Sequence, residues 1–154
     1  MAKDVRAKLD PPYDHITLRL KTMPNGERRA GLRHEESGLS VSITDTLSEG
    51  AGGWQNSHSH HSGIIEVYAV QVGWVVLAEL IEGDLQFKLH EAPCSFVVSA
   101  LHPHNVFVGS ETVFSTIKHG SAEGASDWDP AHDLDARLAI FPDSGTVLSA
   151  YYRQ

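Results

Sequence analysis

The sequence predicts an all-β fold, a sandwich or barrel of two antiparallel sheets with one short helix near the C-terminus. Three observations predict it. Short alternating apolar and polar stretches recur at intervals of about eight to twelve residues, separated by turns rich in Gly, Asn and Pro. No run of strand–helix units suggests a parallel α/β sheet. A helical period is confined to the last third of the chain.

The elements follow in order. Residues 1–12 are polar and end in Pro11-Pro12, which reads as an N-terminal arm or an early edge strand. Tyr13 to Leu20 sets Ile16, Leu18 and Leu20 at alternate positions and reads as a strand. Pro24-Asn25-Gly26 is a turn. Leu39 to Ile43 alternates without a break, a strand with one wet face. Glu49 to Gly53 is a flexible loop. Ile64 to Gln71 and Trp74 to Ile81 are β-rich and flank Gly73. Glu82-Gly83-Asp84 closes a hairpin, and Leu85 to His90 alternates. Ser95 to Leu101, Asn105 to Val108 and Thr112 to His119 read as further strands, the last preceded by a turn at Gly109-Ser110-Glu111.

Gly120 to Trp128 is small and polar, a loop. Asp129 as N-cap and Pro130 at the first helical position start a helix over 129–141, with Leu134, Leu138 and Phe141 on one side and Pro142 as its stop. Thr146 to Tyr152 reads as a terminal strand. The 154 residues make one domain, with 39–119 as its barrel core.

That length can bury a core without disulfides, and Cys94 is alone in the chain. The net charge is −8 and the basic residues are scattered; Arg28, Arg29 and Arg33 form the one local group and read as a solvated strand edge. Nucleic acid and anionic membranes are therefore not expected partners. The segment Met1 to Arg6 is charged, without the apolar core of a signal peptide, and no apolar run approaches the ~18 residues that span a bilayer. The expected location is cytoplasmic. No serine elbow, phosphate-binding glycine loop or dinucleotide fingerprint is present.

Histidine is the compositional oddity. Six of the ten, His58, His60, His61, His90, His102 and His104, fall between positions 58 and 104. Residues i and i+2 of a strand share a face, so His58 and His60 can address one ion together. Glu66 can add a carboxylate oxygen, and His104 can close the set from a facing strand. Imidazole suits zinc, iron, copper or nickel, and a hard carboxylate also admits manganese. Four protein ligands leave two positions open on an octahedral ion, a catalytic layout.

The stretch Gly52, His58-Ser59-His60, Glu66, Gly73 resembles the first motif of the cupin superfamily, which runs Gly, five residues, His-x-His, three or four residues, Glu, six residues, Gly. The outer spacings match. The middle one is a residue longer, which a bulge between His60 and Glu66 explains, or His61 in place of His60 as ligand. Of the second motif, the positions held by Ser99, Leu101, His104 and Val108 keep the His, with Pro103 before it. The resemblance spans 39–119. It implies a jelly-roll barrel (a double-stranded β-helix), one divalent transition metal (Zn, Mn, Fe or Ni) on His58, His60, Glu66 and His104, and a homodimer in which the arm can be exchanged.

The implied function is a metal-dependent enzyme on a small oxygen-rich metabolite, by isomerase, epimerase, cyclase or lyase chemistry through a metal-stabilised oxyanion. A dioxygenase and a non-catalytic sugar- or metabolite-binding module are the alternatives. His102 shares parity with His104 and is a proton-transfer candidate or pocket wall. Tyr68, two residues after Glu66, is a second such candidate or an aromatic barrel residue. Gln55 and Asn56 stand at the mouth as candidate substrate contacts. Of Lys118 and His119, one at most faces inward. His15, His34 and His132 read as surface residues, and Cys94 as structural.

Overall fold

Alternation along the chain becomes two facing antiparallel sheets in the computed structural model, which describes residues 3–61, 63–120 and 128–153. The chain opens as a meander of Lys3–Lys8 (β1), Ile16–Thr22 (β2), Arg28–His34 (β3) and Ser40–Asp45 (β4). Gly53–Trp54 (β5) and His58–Ser59 (β6) are two-residue strands. Ile65–Val72 (β7), Trp74–Ile81 (β8), Asp84–Glu91 (β9), Cys94–Val98 (β10), His104–Val108 (β11) and Val113–His119 (β12) follow, then Asp129–Pro130 (β13). A seven-stranded sheet runs β1-β2-β3-β4-β12-β7-β10; the other runs β13-β6-β11-β8-β9, with β5 on β11. From β4 onward the chain passes repeatedly between the sheets, the jelly-roll path. The expected arm is β1, the edge strand paired to β2.

The turn from β7 to β8 shows why Gly73 ends the motif. Its φ is +75°, and a Cβ there would collide with Thr112. The Thr112 hydroxyl holds both ends of the crossing, accepting from Trp74 N–H and donating to Trp74 O, each at 3.2 Å.

Val75 to Glu79 is buried on both faces of β8. Inward, Val75 and Leu77 meet Tyr68, Val98, Val106 and Phe114 between the sheets. Outward, Val76 and Ala78 meet two helices, His132–Leu138 (α1) and Ser144–Tyr151 (α2), through Leu134, Leu138 and Val147. The helices thus cover the outer face of one sheet. The outer face of the other exposes Val5, Leu18, Leu20, Leu32 and Ile43.

The C-terminal third differs from the sequence expectation. Asp129 and Pro130 do not start the helix: they pair with Ser59 and His58, and the N-cap is Ala131 with no side-chain cap. Ladder pairing outweighs the local capping preference. The expected strand over Thr146 to Tyr152 is α2, so there are two short helices, not one. An Asp143–Thr146 capping box starts it, and Val147 packs on the sheet; together they override the β-branched and aromatic composition. Of the loop read over Gly120 to Trp128, residues 121–127 lie outside the described residues. Among the described residues no helix is long and apolar enough to cross a membrane.

Candidate metal centre

Four side chains from three strands and a loop converge. His58 on β6 and His104 on β11 are direct cross-strand partners. Glu66 sits on the inner face of β7. His60 lies just past β6, where its N–H donates to Ala100 O at 2.6 Å. One ligand atom from each of His58, His60, Glu66 and His104 lies within 4.8 Å of every other. His60 Nε2 is 2.9 Å from Glu66 Oε2, and His104 Nε2 is 3.4 Å from the same oxygen. The rings of His58 and His104 are 4.5 Å apart.

Backbone carbonyls fix which nitrogens face inward. Nδ1 of His58 donates to Asn56 O, and Nδ1 of His104 donates to His102 O, both at 2.9 Å. Each ring then presents the lone pair of Nε2, the orienting device common around metal-binding histidines. Burial, then the neighbouring His104, pushes His58 down to about 4, so it is a neutral donor near pH 7. Burial opposes ionisation of Glu66, but the neighbouring His104 and His60 outweigh it and hold the carboxyl far below its usual range.

The donor set therefore fits a divalent cation. An ionised carboxylate is buried beside imidazoles, where a positive charge lowers its cost. His104 Nε2 is itself buried with no hydrogen-bond partner among the described residues, an acceptor aimed at the point where the other donors meet.

His61 turns away: its Nε2 lies 3.5 Å from Asp129 Oδ2. Beyond it, Ile64 N–H donates to His61 O at 3.2 Å and Gly63 takes φ +95°. His60, not His61, is the member of the converging group.

The remaining sequence candidates divide. Gln55 and Asn56 line a cavity of about 610 Å³ beside His58. Asn56 also orients His58 through its carbonyl, and Gln55 donates to buried Glu27 at 2.9 Å. His102 contributes the carbonyl that orients His104; its own Nδ1 is buried and unpartnered among the described residues. Tyr68 is stacked between Phe96 and Phe114, with ring centroids at 5.2 and 5.7 Å, and burial pushes its phenol well up. That placement is barrel wall. Lys118 lines the cavity, while His119 is exposed.

Sequence reading missed the cationic lining of this cavity. Arg6, Arg19, Lys21, Arg29, Arg33 and Lys118 line it. The solvated-edge reading of Arg28, Arg29 and Arg33 is corrected: β3 lies between β2 and β4, Arg29 and Arg33 face the cavity, and only Arg28 points out, to Asp45 at 2.8 Å. Trp128 also lines the cavity and stacks on His58 with centroids 5.6 Å apart.

No protein-family model matches the sequence, and no curated protein does. Solved structures do match. Oxalate decarboxylase of Bacillus subtilis, in a structure described through its Mn(II) centres, superposes with a TM-score of 0.57 at 13% identity, over 80% of this chain and 34% of that one. KdgF of Halomonas sp. gives 0.51 at 13% identity, over 68% and 87%. The capsular polysaccharide assembling protein CapF of Staphylococcus aureus gives 0.51 at 16%, over 72% and 31%. These are cupin-fold proteins.

This chain has a cupin fold. It spans about a third of the oxalate decarboxylase chains it matches. The four donors lie on the inner face of this barrel, where β6, β7 and β11 meet.

Proposed function

We propose that this cupin is a metal-dependent enzyme acting on a small oxygen-rich metabolite by isomerase, epimerase, cyclase or lyase chemistry through a stabilised oxyanion. The observation that carries the reading is the convergence of His58, His60, Glu66 and His104 at the edge of a cavity of about 610 Å³. That volume suits a small ligand. The four residues would hold one divalent transition metal, and the mixed nitrogen and oxygen set admits Zn, Mn, Fe or Ni. Bound there, the metal supplies Lewis acidity toward a carbonyl oxygen.

The protein's own groups do the rest. Gln55 and Asn56 border the space the substrate fills. Lys118, whose Cα partner on β7 is Glu66, brings an ammonium to the same wall. His102 is assigned the proton transfer, on the strength of its unpartnered buried nitrogen next to His104. Tyr68, held in the apolar cluster, is not assigned one.

The test is anaerobic incubation of the metal-loaded protein with a small-metabolite extract in D₂O, followed by mass spectrometry. The expected result is one metabolite that isomerises, loses a fragment or gains deuterium, with no change under His104→Ala. Oxygen uptake coupled to turnover would instead make it a dioxygenase. A ligand recovered unchanged would make it a binding module.

We also propose a homodimer across the outer face of the seven-stranded sheet. Uncovered by the helices, that face carries the exposed apolar residues Leu18, Leu20, Leu32 and Ile43 side by side on β2, β3 and β4.

A further inference from the structure

Strands β2 and β3 invert the usual polarity of a barrel wall. Leu18, Leu20 and Leu32 point to solvent, while Thr17, Arg19, Lys21, Arg29 and Arg33 point to the cavity. The register aligns them. Thr17 faces Arg33, Arg19 faces Gly31, and Lys21 faces Arg29. The side-chain-free Gly31 leaves room between the cationic pairs. Arg6 on β1 stands opposite Arg19, and Lys118 on β12 stands opposite Ser40.

In a chain of net charge −8, six cations gather on one concave surface. One carboxylate, Glu35, shares the lining. Asp4 and Glu27 reach it from the side: Asp4 forms a two-point contact with Arg19, and Glu27 lies 3.9 Å from Arg29. Charge is therefore left positive over the cavity floor. The Lys21 ammonium makes no hydrogen bond with the described residues, and burial followed by repulsion from Arg19 and Arg29 lowers its pKa. Gathering like charges in a concave, partly desolvated wall is costly unless an anion enters. Guanidinium forks match carboxylate and phosphate oxygens in particular.

We propose that this cavity binds a small organic anion, its oxygen-rich body toward His58 and its carboxylate or phosphate on Lys21 and the guanidiniums of β2 and β3. The inference rests on the reading of the neighbouring donors as a substrate site and names the substrate class. Specificity follows from two anchors of different chemistry in one space. The histidine–carboxylate group takes neutral oxygens, and the cationic floor takes the charge. A neutral metabolite of the same size satisfies only the first anchor.

Calorimetric titration tests it with three probes of one skeleton: glucose, glucuronate and glucose 6-phosphate. Lys21→Gln and Arg29→Gln remove cavity charges. Arg28→Gln removes a charge from the opposite face of the same strand. Elemental analysis and a thermal melt accompany each protein. At least one anion should bind while glucose does not, and Lys21→Gln and Arg29→Gln should each weaken it about tenfold, as expected for a lost charge-assisted contact. Arg28→Gln should leave the affinity unchanged, with metal content equal throughout. Preference for glucuronate or for glucose 6-phosphate names the anionic group. Absence of binding by both anions at about 10 mM, or glucose binding as tightly as they do, overturns the proposal; so does equal weakening by Arg28→Gln. Anion binding in a protein that takes up no metal keeps this proposal and rejects the metal reading instead.

Discussion

At the scale of single residues, the site turns on which histidines can reach one carboxylate. His60 stands 2.9 Å from Glu66, whereas His61 is 39% exposed and turned to Asp129. His60→Ala should therefore cost far more metal affinity than the roughly 10–100-fold typical of an orienting residue, and His61→Ala should leave it unchanged; metal titration of the two variants decides. Replacing His102 by Ala keeps the backbone carbonyl that orients His104. It should retain the metal and abolish turnover, and loss of metal instead would mark the ring as part of the metal site. His58, Glu66 and His104 were legible in the sequence because few residue types ligate metals and their spacing is motif-like. The shared strand face with His58 favoured His60 over His61 but did not decide between them. The choice depends on the course of the chain after His60, with Gly63 at positive φ, which no spacing rule contains.

At the scale of elements, the two-residue strand bearing His58 is too short to hold itself, and its neighbours brace it. Ser57 N–H donates to Asp135 Oδ1 on α1 at 3.1 Å, and Ala131 N–H donates to Ser57 O at 3.0 Å. From β11, Asn105 Nδ2 donates to Ser57 Oγ at 2.9 Å and to Gln55 O at 3.0 Å. Asn105→Ala should cost about 1–3 kcal/mol, because buried Ser57 and Gln55 O lose their donor. It should also weaken metal binding without touching the metal; chemical denaturation and metal titration read the two effects separately. Leu134→Ala, which opens a hole between α1 and β8, should cost about 2–5 kcal/mol of stability in the same denaturation assay. The barrel strands were legible from alternation. The C-terminal elements were not, since Asp129 and Pro130 carry helix-start chemistry yet complete the β6 ladder, and the strand-like run from Thr146 is set helical by a cap at Asp143, three residues upstream of Thr146.

At the scale of the whole molecule, the two sheets are dressed differently. One is covered by helices; the other shows solvent an apolar face and turns its cations inward. Periodicity revealed β2 as a strand but not which of its faces is inside, because the habitual assignment of charge to water fails where a cavity needs it. The bare face predicts a dimer by size-exclusion chromatography with light scattering, and Leu20→Glu with Ile43→Glu should shift the mass to the monomer; a monomeric wild type would contradict the assembly. The proposed chemistry leans on one cation held by four side chains. Elemental analysis of untagged protein, exposed to Zn, Mn, Fe or Ni and then gel-filtered, tests that most directly. About one metal per chain is expected in the wild type and little in a folded His104→Ala variant, since removing one ligand of the set opens the site. A wild type that emerges without metal, or a variant that retains it in full, would contradict the account.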